Sequence, residues 1–387
     1  MKMSLYALIG AGSLCVVGVA SADLVAHQTL DSLTGLTIGT PNANTNDTTT
    51  APGLFGNALL LDGDNDYAIV DDGSPITGDV VRTYAVWVNQ AADTTGLRSP
   101  MSFGINGNGT KYDIDIDNNN DGIEMGAGGG RTTDTGAGFT SETWHLIVST
   151  VPFQGAQAQD TVQYLDGVAR ASGTNTRPIN TNSGRWLIGT SANQSTTSTF
   201  PNIQFFNGLV DDASVWDEVL TQDEIVGMYD VGLDLGYDAA DFDALKQVHD
   251  AAAGAVTVGG VQWQYTTGLA NTAGLNGSTD TLVLDAITGT GLVGTAALPG
   301  DTDGDGDIDD SDLGTAFSNY TGPLAPGTGG KTAADGDTDG DGDVDDSDLG
   351  TAFSGYTGPL GPASVPEPTS LALLGLGGLA LIRRRRA

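Results

Sequence analysis

Two stretches of this 387-residue chain nearly coincide, DTDGDGDIDDSDLGTAFSNYTGPL at residues 301–324 and DTDGDGDVDDSDLGTAFSGYTGPL at residues 337–360. They differ only at Ile308 versus Val344 and Asn319 versus Gly355, so the unit is an internal repeat with a period of 36 residues. Seven of the first twelve residues in each copy are Asp. Carboxylates at that density repel one another and build no apolar core, which leaves a solvated acidic tail or a cation-holding loop. The spacing favours the cation. Calcium loops of the EF-hand type take oxygens from positions 1, 3, 5, 7, 9 and 12 and place Gly at position 6 for the sharp turn. Counting from Asp301 gives Asp301, Asp303, Asp305, Asp309 and Asp312 as side-chain ligands, Gly306 at the turn and Asp307 as a backbone carbonyl. The second copy repeats the set with Asp337, Asp339, Asp341, Gly342, Asp343, Asp345 and Asp348. The apolar residue at position 8, Ile308 or Val344, suits short pairing between two such loops. A helix is expected after each loop, with Leu313, Ala316, Phe317 and Tyr320 on one face and Gly322-Pro323 as the stop. The stretches before each loop, GTAALPG and GGKTAADG, are rich in helix breakers, so no entry helix is expected.

A duplicated loop with an exit helix, no entry helix and Asp at position 12 resembles the dockerin type I module over residues 301–360. The resemblance implies one calcium ion per half, a pair of halves folding together, and docking onto a cohesin-like partner. The family's recognition positions 10 and 11 fall on Asp310-Ser311 and Asp346-Ser347; cellulosomal relatives usually carry small hydroxyl or apolar residues there.

Asp supplies 44 of the 49 acidic residues and the formal net charge is −35. That bias fits turns and oxygen-ligand loops better than charged helices, and it argues against nucleic acid or an anionic membrane as a partner of the folded part. The 57 Gly fit an all-β chain with many turns. The single cysteine, Cys15, lies in residues 1–22, which have the form of a secretory signal: Lys2, an apolar run over 5–19, and Ala20-Ser21-Ala22 before Asp23. A mature exported chain without cysteine relies on its core and, by inference, on metal.

Residues 23–230 alternate short apolar runs with Gly, Asn, Asp and Thr clusters. Strands are expected at 58–61, 67–70, 84–89, 112–116, 144–151, 161–165, 185–188 and 205–216, the pattern of a sandwich or jelly roll. GNALLLDGDNDYAIV, YAVWVNQ, WHLIVST, VQYLDGVA, WLIGT and the closing FFNGLVDDASVWDEVLTQDEIVGMY resemble the laminin G-like, concanavalin A-like lectin/glucanase jelly roll. Gly208, Asp211, Asp212, Val215, Trp216 and Leu220 carry the family's ending, and Thr221 with Glu224 forms a capping box for the helix that follows.

Glycosidases need two flanking carboxylates, about 5 to 5.5 Å apart when retaining. The retaining glucanases of this fold resemblance carry an E-x-D-x-x-E strand, which is absent here. Glu124 and Glu142 are expected as solvated residues at turns, and His27, His145 and His249 are isolated. No Ser/His/Asp or Cys/His arrangement is evident, so recognition is favoured and a hydrolase or lyase is the alternative. Two readings stand for Asp62, Asp64 and Asp66 with Asp211 and Asp212: a structural calcium site where first and last strands meet, as in similar lectin-like domains, or turn residues capping backbone amides. Asp117, Asn119, Asp121 and Gly122 copy half a calcium loop, but Met125 and Gly128 at positions 9 and 12 offer no carboxylate, so a hairpin turn is expected.

Residues 231–300 read as a small α/β spacer, with a helix over 239–252, strands over 256–266 and 279–287, and a Gly-rich linker TGTGLVGTAALPG. Residues 365–387 join Pro366-Glu367-Pro368, a twelve-residue apolar run over 371–382 and four terminal arginines. The run is short of the roughly 20 residues that span a bilayer. The three parts resemble the bacterial PEP-CTERM signal, which implies exosortase processing and transient membrane contact through the tail, with a permanent anchor as the alternative. The expected whole is a mainly β exported surface or matrix protein, binding calcium and a glycan or extracellular protein.

Overall fold

In the computed structural model, the described residues are 24–38, 48–71, 74–92, 94–119, 122–128, 131–133, 138–170, 174–191, 204–270, 274–275, 280–296, 299–302, 308–324, 329–332, 335–338 and 342–358. The signal and sorting segments therefore lie outside them, as do Asp303, Asp305, Asp307, Asp339, Asp341, Pro366, Glu367 and Pro368. The chain divides into two compact units, Met1–Gly254 with Tyr265–Val293, and Ala255–Gln264 with Gly294–Ala387.

Among the described residues of the first unit, fifteen strands form the sandwich. They are β1 (Leu24–Gln28), β2 (Thr37–Ile38), β3 (Thr49–Pro52), β4 (Asn57–Asp62), β5 (Ala68–Asp71), β6 (Arg82–Gln90), β7 (Leu97–Gly104) and β8 (Lys111–Asp117). There follow β9 (Gly122–Gly126), β10 (Arg131–Thr133), β11 (Trp144–Val151), β12 (Val162–Leu165), β13 (Val168–Arg170), β14 (Arg185–Ile188) and β15 (Asn207–Trp216). One sheet runs β13-β12-β11-β6-β15-β4-β3, with β1 also pairing β15; the other runs β10-β9-β8-β7-β14-β5-β2. Strands pair antiparallel in both, the architecture of a concanavalin A-like jelly roll.

Alternation decides what each strand buries. Tyr84, Val86 and Val88 of β6 meet Met101 and Phe103 of β7 and Tyr112, Ile114 and Ile116 of β8 in one core. Tyr84 stacks on Phe103 with ring centroids 4.2 Å apart, and Phe103 on Trp186 at 5.7 Å. The other face of β6 is covered too, which is why its centre, Tyr84 to Val88, is an unbroken apolar run. Trp87 lies there beneath α1 (Gln222–Leu235), stacked on Tyr229 at 5.8 Å. A Cβ at Gly232 would stand 2.6 Å from the Trp87 ring, so only glycine allows this approach. Thr221 and Glu224 make the expected reciprocal capping box at the start of α1.

The stretch expected as a spacer is divided between the units. Helix α2 (Ala239–Asp250) follows α1 and ends two residues earlier than expected. Lys246 on α2 is buried among Glu218 at 2.8 Å, Glu224 at 3.3 Å and Asp250, which hold its ammonium charged against the cost of burial. The expected single strand over 256–266 is a hairpin, β16 (Ala255–Val258) and β17 (Val261–Thr267), because Gly259 and Gly260 both take positive φ. Beyond it come β18 (Gly274–Leu275), β19 (Thr281–Asp285) and β20 (Thr290–Ala296). The expected Gly-rich linker is thus largely strand: Gly291 and Leu292 sit opposite Val283 and Leu282. Leu282 and Leu284 pack close to Gly227 of α1, where an added Cβ would stand 2.7 Å from Leu284 and 3.2 Å from Leu282.

In the second unit each repeat has its exit helix, α3 (Asp310–Asn319) and α4 (Asp346–Gly355), capped by Asp309 and Asp345. Ala316 packs with Val344 and Leu349. The expected apolar helix face is only partly buried: Phe317 and Tyr320 are 54% and 43% exposed, and Phe353 and Tyr356 are 52% and 41% exposed. Position 8 pairs differently from expectation. The Ile308 N–H donates to Thr357 Oγ1 and its carbonyl accepts from the Thr357 N–H, both at 3.0 Å, and Val344 is held the same way by Thr321 at 3.1 and 2.9 Å. Each loop therefore pairs with the threonine that follows the other copy's helix.

Candidate functional site

In the second unit the position-12 carboxylates close each loop onto its helix. Asp312 is 1% exposed and accepts the Thr302 N–H at 2.7 Å and the Asp309 N–H at 2.8 Å; Asp348 does the same with Thr338 and Asp345. Asp337 accepts the Gly342 N–H at 2.9 Å, and Gly342 has φ +90°, so position 1 grips the turn at position 6. One oxygen each from Asp343, Asp345 and Asp348 lie within 4.8 Å of one another. The spacing rule assigns only a carbonyl to position 7, yet the Asp343 carboxylate is buried and belongs to this group. The copies also clasp across their pseudo-twofold: the Tyr320 hydroxyl donates to Asp346 and the Tyr356 hydroxyl to Asp310, both at 2.9 Å. Position 10 is therefore engaged within the module. Phe317 and Phe353 meet edge to face at 5.8 Å.

The sandwich does not gather its five acids into one place. Asn207 of β15 stands opposite Asp62, so Asp211, four residues along, is roughly 13 Å further down the strand. Asp62 accepts the amides of Asp64 at 2.8 Å and Asn65 at 3.3 Å; Asp66 accepts the Asp62 amide at 3.2 Å. Asp64 is exposed. Asp62 and Asp66 also border an open groove of about 460 Å³ with Thr49, Leu60, Leu61 and Asn207. Asp211 is buried and accepts the amides of Leu54 at 2.8 Å and Phe55 at 3.1 Å; burial pushes its carboxyl up to about 7. In every one of these contacts the carboxylate caps backbone amides.

Asp212 goes elsewhere because β15 bulges. Val210 faces the core, and unbroken alternation would send Asp212 inward as well. The register shift between Asp211 and Ser214 resets the parity, so Ala213 and Val215 take the core places and Asp212, at φ +43°, turns outward. There it bonds His27 of β1 and accepts the Ala239 amide of α2 at 3.1 Å. Burial opposes charge on His27, but Asp212, Asp238 and Asp241 outweigh it and hold the imidazole above its ordinary range.

A row of ionisable groups also lines the outward face of β8. With Tyr112, Ile114 and Ile116 in the core, Lys111, Asp113, Asp115 and Asp117 share the other face, and Glu124 of β9 stands opposite Asp115. This corrects one sequence expectation: Glu124 is 4% exposed and bonds Arg131 at 3.3 Å instead of facing solvent. Asp113 and Asp115 are fully buried; Asp113 pairs with Lys111 and accepts the Ser191 hydroxyl at 2.8 Å, while Asp115 bonds Ser99 and lies 3.7 Å from Arg131. Burial, with the Asp113 charge beside it, pushes Asp115 up to about 7. Of the remaining candidates, Asp117 and Gly122 face each other in the β8–β9 hairpin, Glu142 is exposed, His145 is buried between Asp166 at 2.7 Å and Thr140, and His249 lies on α2.

The strand order and the core shared by the two sheets define a concanavalin A-like jelly roll. Residues 62–226 match the model of the concanavalin A-like lectin/glucanases superfamily, and residues 364–386 match the PEP-CTERM protein-sorting motif. The latter marks an exported, cell-surface-associated bacterial protein processed by the exosortase system. Among the described residues no helix is long and apolar enough to cross a membrane. No curated protein matches the chain. Similar solved structures include domain 4 of AbnA, a GH43 extracellular arabinanase from Geobacillus stearothermophilus, in complex with arabinotriose (19% identity, 53% of this chain and 98% of that one, TM-score 0.41). Others are the binding domain of Paraclostridial Mosquitocidal Protein 1 (14%, 51% and 48%, 0.37) and a Trypanosoma rangeli sialidase (15%, 53% and 33%, 0.36). The chain thus spans nearly all of the first but half or less of the other two. At these scores the likenesses carry no functional weight.

Proposed function

We propose that this exported protein works by non-catalytic recognition, its sandwich contacting a glycan or extracellular protein and its dockerin-like repeat binding calcium to assemble with a cohesin-like partner. The observation that carries the calcium reading is the convergence of Asp343, Asp345 and Asp348 at the end of a loop already turned by Asp337 and Gly342. With Asp339 and Asp341 they make an all-oxygen donor set suited to calcium, and Asp301, Asp303, Asp305, Asp307, Asp309 and Asp312 are their counterparts. Calcium would neutralise carboxylates that otherwise repel, so binding supplies folding free energy to the module. Calorimetric titration of the full chain should show two calcium equivalents, falling to one in Asp348→Ala. Zero equivalents, or two retained in the variant, would defeat the calcium reading.

The competing reading is polysaccharide cleavage on the same fold. The acidic row of β8 and β9 gives it a specific place, but Asp113 and Asp115 are fully buried and face Lys111 and Arg131, an arrangement that favours a structural role. A polysaccharide panel scored for both retention and product release separates the readings. Product formation abolished by Asp115→Asn would establish catalysis, whereas retention without products supports recognition; a pull-down from envelope extracts with and without chelator then assigns any partner to the calcium module.

A further inference from the structure

We propose that His27, Asp212 and Asp238 form a structural site for a divalent transition metal, zinc foremost, that ties the first strand of the sandwich to its last strand and to helix α2. Three segments far apart in sequence deliver these groups. His27 comes from β1, Asp212 from the bulge of β15, and Asp238 from the N-cap of α2. One donor atom from each lies within 4.8 Å of the others.

A fourth group points to a ligand independently. Ser214 is fully buried, and its hydroxyl has no hydrogen-bond partner. It stands directly opposite His27 in the β1–β15 ladder and two residues after Asp212, so the three side chains share one face. Burying a hydroxyl without a partner is costly, and a metal-bound water or the metal itself would satisfy it.

The donor chemistry selects the cation. Calcium and magnesium take oxygen ligands, whereas an imidazole with two carboxylates suits zinc. Zinc holds nitrogen and oxygen at about 2.0–2.2 Å, so a tetrahedral site places its ligands about 3.4 Å apart; His27 and Asp212, in direct hydrogen-bond contact, would open by about an ångström to admit the ion, and Asp238 would close on them by little more than that. Asp212 stays aligned during that movement because the Ala239 amide anchors its second oxygen, and Asp238 because the Ala240 and Asp241 amides hold it at 2.9 and 3.0 Å. Binding exchanges the proton between His27 and Asp212 for the metal.

The site shares no residue with the calcium loops, so the two are tested separately. The full chain, stripped of metal and then saturated with calcium, should retain one zinc per chain after dialysis against zinc and washing. His27→Ala and Asp238→Asn should each weaken zinc affinity by about tenfold or more, while His145→Ala and His249→Ala leave it unchanged. Asn remains a good N-cap, so Asp238→Asn preserves α2 and decides the question even if His27→Ala fails to fold. Absence of zinc from the calcium-saturated wild type, or wild-type affinity in Asp238→Asn, overturns the proposal.

Discussion

Asp115 shows how one residue's position on a strand sets its chemistry. Alternation along β8 assigns it to the outward face, yet Ser99 of β7, Glu124 of β9, Arg131 of β10 and Ser191 after β14 close around that face together with Lys111 and Asp113 of its own strand. Water is excluded, and the carboxyl titrates near 7 instead of 3.8. Between about pH 4 and pH 7 the folded chain therefore keeps a proton that the unfolded chain has released. The stability associated with this residue is present in full below about pH 4, declines as pH rises through 7, and is flat above. Asp115→Asn stays neutral throughout, so its stability relative to the wild type should grow from about pH 4 to about pH 7 in urea unfolding. An unchanging difference between the two proteins across that range would contradict the buried, protonated state.

At the scale of elements, the repeat is two loop–helix halves that cannot bury their apolar residues alone. Each helix stops at its tyrosine, whose hydroxyl reaches position 10 of the other copy, and each following threonine satisfies the backbone of the other loop at position 8. The shared core is small: Val344 is fully buried against Ala316 and Leu349. Val344→Ala removes two methyl groups at about 0.8 kcal/mol each, with a cavity term in addition, and should cost the calcium-saturated module about 2 kcal/mol. Chemical unfolding followed by far-ultraviolet circular dichroism measures it; a cost near zero would mean the halves do not share a core. In the sandwich the bulge of β15 plays a comparable part, since one extra residue lets the Asp211-Asp212 pair serve two different backbones and keeps Ala213 and Val215 in the core.

For the whole molecule, the chain's two compact units should respond separately to calcium. In zinc-free protein, excess calcium chelator should lower the unfolding transition of the repeat unit and leave that of the sandwich in place, because only the former then loses a ligand that binds its folded state. Scanning calorimetry with and without chelator reports this, and a parallel shift of both transitions would argue against calcium acting on the repeat alone. What the sequence by itself determined is local: the 36-residue repeat with its turn glycine and exit helices, the short apolar strand runs such as Trp144–Val151 and Arg185–Ile188, and the capping box of Thr221 and Glu224. Such features depend on neighbours within a few residues, so spacing alone displays them. Short strands such as Thr37–Ile38 and Arg131–Thr133 were not legible, since they exist only through pairing with a longer partner. Only the tertiary structure decided that Asp62 and Asp211 stand apart, that Glu124 and Asp115 are buried, and that Asp212 meets His27 from 185 residues away. Those outcomes turn on which face of a strand becomes covered and on a single bulge that resets its parity, and neither leaves a periodic mark in the chain.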